Sequence, residues 1–333
     1  MDNSIKLCHG NGGSQTEELI RNIFYKHFNN EILLRGLDSA ILEIGQGRIA
    51  FTTDTFVVKP IFFLGGNIGK LAICGTINDL VAVGAKPLYI SCGMIIEEGF
   101  DLELLEKIVI SMKETADLAG VSIVTGDTKV VEKGAVDQVF INTSGIGRVL
   151  KDFSIKEIFP GDKIIMTGSI AEHGTTIAIN QYNLNIKGDF QSDCNPLTEI
   201  LECLKDYSED IKFMRDPTRG GVATVLNEMS KHSGLSIHLY EKNIPIRPEV
   251  TAINELLGLE PLYIASEGRM ILVVREAKAK EILENIRKLS NFKNANIIGA
   301  FIEDINHNVI AINSFGGKRI ITPLEGEMVP RIC

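Results

Sequence analysis

Residues 67–83 carry Ile68, Leu71, Ala72, Leu80 and Val83 at helical spacing, with the pair Asn78-Asp79 in their midst. This spacing predicts a helix, which Gly84 stops and Pro87 follows. A carboxylate inside an apolar helix is costly to bury unless it is paired or bound to a metal. Any fold that buries this helix must therefore supply Asp79 with a polar or cationic neighbour.

Three further acidic segments sit at the ends of apolar runs. Thr52-Thr53-Asp54-Thr55 interrupts a β-branched run, and Thr125-Gly126-Asp127-Thr128-Lys129 follows a short apolar strand. Arg215-Asp216-Pro217-Thr218-Arg219-Gly220-Gly221 combines a turn, charge and the start of a helix. Each alone reads as a cap or a surface ion pair. Four together point to carboxylates gathered around divalent cations. At an effective dielectric of ~20, two like charges ~4 Å apart repel by about 4 kcal/mol, so such a cluster rejects a polyphosphate unless a cation bridges them. No Walker A loop is present: Gly69-Lys70 precedes Leu71, and position 64 is Leu. The glycines of His9-Gly10-Asn11-Gly12-Gly13 are compatible with an anion nest or with a plain flexible loop.

The pattern is α+β in two halves. Segments 39–44 and 48–58 flank Gly45-Gln46-Gly47 as a hairpin, 88–96 reads as a strand, and Asp101 caps a helix that ends at Gly120. Strands are expected at 121–124 and 137–149, before Phe159-Pro160-Gly161-Asp162 punctuates the chain. The second half holds helices near 174–182, 196–207, 218–232 and 277–289, and strands at 163–167, 236–240, 269–274 and 296–302. The expected division is 1–155, 156–318 and a mobile tail, 319–333. That tail contains Pro323, Gly326 and Pro330 with no apolar period, and it ends on Cys333. A thiol at the tip of an arm is a natural carrier of a chemical group, although a docked, buried thiol is the plainer alternative.

Composition narrows the function. The 333 residues include 31 glycines and no Trp, and the net charge of −9 does not fit a nucleic-acid partner. Apolar runs are too short for a membrane span, and the N-terminus has no secretory core, so a cytoplasmic location is expected. The six cysteines (Cys8, Cys74, Cys92, Cys194, Cys203 and Cys333) form no C-x-x-C pair. Cys74 and Cys92 read as core.

Segments 52–55, 78–87, 126–129 and 216–221 resemble the ATP-binding superfamily of aminoimidazole ribonucleotide synthetase and selenophosphate synthetase. With His9–Gly13, Ser266-Glu267-Gly268-Arg269 and Pro330-Arg331-Ile332-Cys333, nearly the whole chain is similar to the HypE family of hydrogenase maturation proteins. Ser266 stands where that family often has Cys. The resemblance implies two mixed α/β domains and a homodimer whose N-terminal domains pair through a β-barrel. It also implies ATP-dependent dehydration of an S-carboxamide on the terminal cysteine to a thiocyanate, the source of cyanide for hydrogenase iron. Its partners would be the carbamoyltransferase HypF and the HypC–HypD complex. By motif, Cys333 is the carrier. Asp54, Asp79 and Asp216 bind Mg²⁺, while Asn78, Asp127, Thr128, Arg219 and Gly220 serve ATP. Lys129 and Glu267 flank the reacting group, although Glu267 also reads as a salt-bridge partner of Arg269. Rival readings are another superfamily member or a non-catalytic nucleotide-binding scaffold. Selenophosphate synthetase needs a Lys after its reactive Cys, which the loop beyond Cys8 lacks.

Overall fold

The structure, a computed structural model of one chain, describes residues 13–324 apart from 26, 28, 29, 46, 154, 183, 185, 187–189 and 305. Cys333, Cys8 and the loop residues 9–12 lie outside the described residues.

The N-terminal half opens with α1 (Ser14–Leu19), continued by a π-helical turn, Ile20–Tyr25. Next come β1 (Ala40–Ile44), β2 (Gly47–Phe56), β3 (Phe62–Phe63), β4 (Gly66–Asn67) and α2 (Ile68–Ala82). The half closes with β5 (Ala85–Glu97), α3 (Leu102–Ala119), β6 (Ser122–Val131) and β7 (Val139–Val149). Five strands form one open sheet in the order β1-β2-β7-β5-β6, in which only β5 and β6 run parallel. The hairpin and the Asp101-capped α3 stand where the sequence places them, and the Asp101 side chain accepts from Leu104 N at 3.0 Å.

The C-terminal half contains β8 (Lys163–Met166), α4 (Glu172–Gln181), α5 (Thr198–Leu204), β9 (Ile211–Arg215), α6 (Gly221–Ser233), β10 (Ser236–Tyr240) and α7 (Pro248–Leu257). It ends with β11 (Ile271–Val274), α8 (Ala279–Lys288), β12 (Asn296–Ile302), β13 (Val309–Ile312) and β14 (Lys318–Ile321). Seven of these strands make a mixed sheet in the order β14-β13-β10-β12-β8-β11-β9. Folded structure therefore extends past residue 318, into the stretch expected to start the arm. Arg319 anchors β14 through Glu241 at 2.8 Å and Glu260 at 3.3 Å.

Helix α2 joins the halves. It is apolar nearly all round, with Leu71, Ala72, Ile73, Cys74 and Ile77 fully buried. A helix of that kind must be covered on every side. One side rests on β2 and β7, and others meet α3, α5 and β9. A single apolar cluster consequently runs from Phe56 and Ile141 in the first half to Leu272 and Ile286 in the second. Each fully buried Leu or Ile in it contributes roughly 1.5–3 kcal/mol.

One polar side chain on α2 ties the halves directly. Asn78 donates to Asn195 O at 3.2 Å and to Glu267 O at 3.0 Å, and accepts from Leu197 N at 2.9 Å. Truncating it would orphan buried backbone groups at ~1–3 kcal/mol each. Asn78→Ala is expected to destabilise the protein by at least ~2 kcal/mol in urea unfolding, and Asn78→Asp by a similar amount, because a carboxylate cannot donate to two carbonyls.

Candidate active site

Between the halves lies a cleft of about 730 Å³, within the usual size range of small-molecule sites. Its walls come from α1, β2, α2 and α6, and from the turn that links β9 to α6. Asp54, Asp79, Asp216, Arg219 and Glu267 all line it, as do two residues that sequence reasoning missed, Asp38 and Glu228.

Local chemistry explains how each group is held. Asp79 Oδ2 accepts from Thr52 Oγ1 at 2.8 Å, and Ser39 Oγ donates to Asp79 O at 3.0 Å. The neighbour that Asp79 requires is thus a hydroxyl on β2. Asp54 follows two residues along β2, on the same face of the strand. Arg215 pairs with Asp38 at 2.7 Å and with Glu228, and donates to Gly36 O at 2.7 Å. Gly220 and Gly221 both take positive φ, at 74° and 59°, so the chain turns sharply from Asp216 into α6. A Cβ on Gly221 would sit 2.5 Å from Leu262 O, which excludes any side chain there. On the α6 wall the buried Thr224 hydroxyl has no hydrogen-bond partner among the described residues.

The carboxylates raise one another's pKa. Burial comes first for Asp79, which then feels Asp216, Asp54 and Asp38 and lies well above the usual carboxylate range. Asp216 is pushed up to about 8 by burial and then by Asp38 and Asp54. Glu267 is also held well above its ordinary value, by burial and then by the Cys194 thiol and neighbouring acids. Burial raises Asp54, while Arg219 opposes the shift. Such a cluster attracts a cation or a ligand that brings cations with it. Among the described residues no three His, Cys, Asp or Glu side chains converge closely enough to hold a metal by themselves.

Not every expected residue faces the cleft. The Asn78 amide is committed to the chain, as described above. Asp127, Thr128 and Lys129 lie on β6, the exposed edge strand, where Lys129 Nζ pairs with Asp127 at 3.0 Å. The register runs Asp54–Thr143–Cys92–Gly126, which puts β6 three strand spacings from Asp54, or ~14 Å. Arg269 does not pair with Glu267 across Gly268. It meets Glu172 at 2.9 Å and donates to Ser169 O at 3.0 Å. The thiols of Cys92 (about 11), Cys194 and Cys203 are all raised, so none of these is an activated nucleophile.

Two family models match the halves: the AIR synthase related N-terminal domain over residues 36–149 and the corresponding C-terminal domain over 160–312. Fold and cleft thus define a two-domain α/β protein of the AIR synthase type. The carbamoyl dehydratase HypE of Bradyrhizobium diazoefficiens is 43% identical over 99% of this chain and 96% of its own length. HypE of Escherichia coli K12 is 41% identical over 99% of this chain and 100% of its own. A crystal structure of HypE in complex with ATP aligns at TM-score 0.82 and 42% identity, covering 99% of this chain and 100% of that one. A HypE–HypF complex aligns at TM-score 0.87 and 44% identity, over 92% of this chain and 99% of that one. The chain belongs to the HypE family of carbamoyl dehydratases within the AIR synthase related proteins.

A raised carboxylate makes the free protein sensitive to base. Between an unfolded value near ~3.9 and the folded value of about 8, Asp216 binds more protons in the folded state. Stability of the metal-free, nucleotide-free protein therefore falls as pH rises from 5 to 8. Asp216→Asn is expected to flatten that slope and raise the thermal midpoint at pH 8.

Proposed function

We propose that the chain uses ATP to dehydrate an S-carboxamide on Cys333 to a thiocyanate, supplying cyanide ligands to the iron of nickel–iron hydrogenase. The observation that carries this reading is the crowd of raised carboxylates in one interdomain cleft, within a HypE-family fold. The shifted thiols of Cys92, Cys194 and Cys203 point the same way, because they leave the carrier role to a cysteine elsewhere.

The chemistry balances as thiocarbamate plus ATP giving thiocyanate, ADP and phosphate. The carboxamide oxygen bonds to the γ-phosphorus as the bond to ADP breaks. Loss of the N–H protons then drives C–O cleavage, phosphate departs and the C≡N bond forms. Mg²⁺, when bound, neutralises charge on the phosphate oxygens. Asp54, Asp79 and Asp216 are the residues that would hold it. Arg219 supplies a fixed positive charge on the cleft wall, and the unpartnered Thr224 hydroxyl suits a phosphate oxygen. Glu267, buried beside the other acids, is the base for the amide proton, since its raised pKa makes its carboxylate a stronger acceptor than an ordinary one.

A homodimer accompanies this reading. On the sheet face opposite α2, Phe51, Ile146 and Tyr89 are exposed and directly cross-strand on β2, β7 and β5, forming an apolar row. Beside it β6 leaves an unpaired edge, which a second copy's sheet would cover. Lys129 and Asp127 stand on that edge, so they serve phosphoryl transfer only where the assembly brings β6 to a cleft. HypF is the proposed donor of the carbamoyl group and HypC–HypD the acceptor of cyanide; the cytoplasm is the proposed location.

The test is to incubate the protein with a HypF-type carbamoyltransferase, carbamoyl phosphate and ATP, and to weigh the C-terminal peptide. Gain of one carbamoyl group, then ATP-dependent loss of one water, is the expected result; an unmodified peptide rejects the reading. Glu267→Gln is expected to slow water loss by about 100-fold or more while loading proceeds.

A further inference from the structure

The last described residues do not leave the protein at random. Three carbonyls, one at the end of β14 and two just past it, are taken by side chains or backbone from three different places. Asn227 Nδ2, on α6, donates to Ile321 O at 3.1 Å and also to Ala223 O at 2.8 Å. Tyr263 Oη, in the short helical turn Pro261–Tyr263, donates to Thr322 O at 2.8 Å. Ser14 N, at the start of α1, donates to Leu324 O at 3.3 Å. The Leu324 side chain packs against the shared apolar core.

Gly13 makes this approach possible. A Cβ there would lie 2.2 Å from Leu324 O and 3.2 Å from Leu324 Cβ. The described end of the N-terminal glycine cluster is thus required by contact with the other end of the chain.

Two of the three anchors stand on the walls of the acidic cleft. Thr16 and Glu17 beside Ser14 line it from α1, and Thr224, Val225 and Glu228 beside Asn227 line it from α6. Residues 325–333, nine in number, reach at most ~30 Å from Leu324. We infer that Gly13, Asn227 and Tyr263 form a pivot that fixes the root of the carrier arm at the mouth of the cleft, so that Cys333 is delivered to the site of its own chain. This inference rests on the reading of Cys333 as the carrier. The three residues are positioning residues, and none of them lines the cleft.

Freeing the root lengthens the stretch beyond the last anchor from nine residues to twelve, 322–333, which by length alone dilutes the thiol only about 1.5-fold. A pivot that also aims the arm has a larger effect. The test combines Asn227→Ala with Tyr263→Phe in the full chain, and uses Gly13→Ala as a separate variant. Each is loaded with carbamoyl, and single-turnover water loss on ATP addition is followed by mass. A synthetic S-carbamoylated peptide of residues 325–333 is then offered in trans at saturation, to variants in which Cys333 is Ala. The expected result is water loss slowed about fivefold or more in cis, with loading, ATP affinity and turnover of the free peptide unchanged. Slowing under twofold in cis overturns the pivot, as does equal slowing in cis and in trans, which would place the damage in the site itself. Should loaded wild-type protein fail to lose water, the carrier reading falls first and takes the pivot with it.

Discussion

Everything in this molecule is arranged around the amide of Asn78. It is the one side chain on α2 that binds three backbone groups of the other half, at residues 195, 197 and 267. Those bonds set the distance between the halves, and so the width of the cleft. They also hold the backbone of Glu267 from one side, while Asp79, one residue further along the helix, lines the cleft from the other. An apolar contact tolerates sliding, but buried hydrogen bonds with fixed directions do not. The apolar surface of α2 supplies the adhesion between the halves and Asn78 supplies the registry.

That registry has an electrostatic cost. Five acids, Asp38, Asp54, Asp79, Asp216 and Glu267, line one cleft, the last two buried and the first three half-buried, and neighbouring acids oppose ionisation of Asp79, Asp216 and Glu267. Arg215 offsets part of the charge through Asp38 and Glu228, and Arg219 acts on Asp54. Among the described residues no cation stands among the main influences on Asp79 or Glu267. Active sites are where such uncompensated charge is characteristically kept, because a ligand can complete it. The same crowding that weakens the empty protein would, under the proposed function, favour cations and the phosphates they bridge.

Much of this was legible in the sequence. Asp79 inside an apolar helix, Asp54 in a β-branched run and Asp216 before a double glycine each broke a local rule, and all three converge on the cleft. Rule-breaking of this sort is the sequence trace of a site. Asp38 and Glu228 broke no rule: one follows a turn and the other lies on an ordinary amphipathic helix, so only the fold brings them in. Asp127 and Lys129 looked equivalent to the other acidic segments because strand-end position carries no information about which strand is central and which is an edge. Strand β9 escaped notice because Lys212 splits its apolar run; the structure buries that lysine against the Phe159 ring at 5.1 Å. Gly13 read in the sequence only as part of an anion nest or a plain flexible loop. The reason for a glycine there, the approach of Leu324 from the far end of the chain, is a long-range contact that no local pattern encodes.

Gly13 and Leu324, the first and last described residues, touch each other, and the two halves of the fold are tied through α2. Between the halves is an acid-lined cleft, which under the proposed function admits a triphosphate only together with divalent cations. Calorimetric titration of the full-length protein with ATP, in magnesium and then in excess chelator, tests that most directly. The account predicts affinity weaker by about 100-fold or more without the metal, given repulsion of several kcal/mol between bare phosphates and the acids. Equal affinity in the two conditions would contradict it.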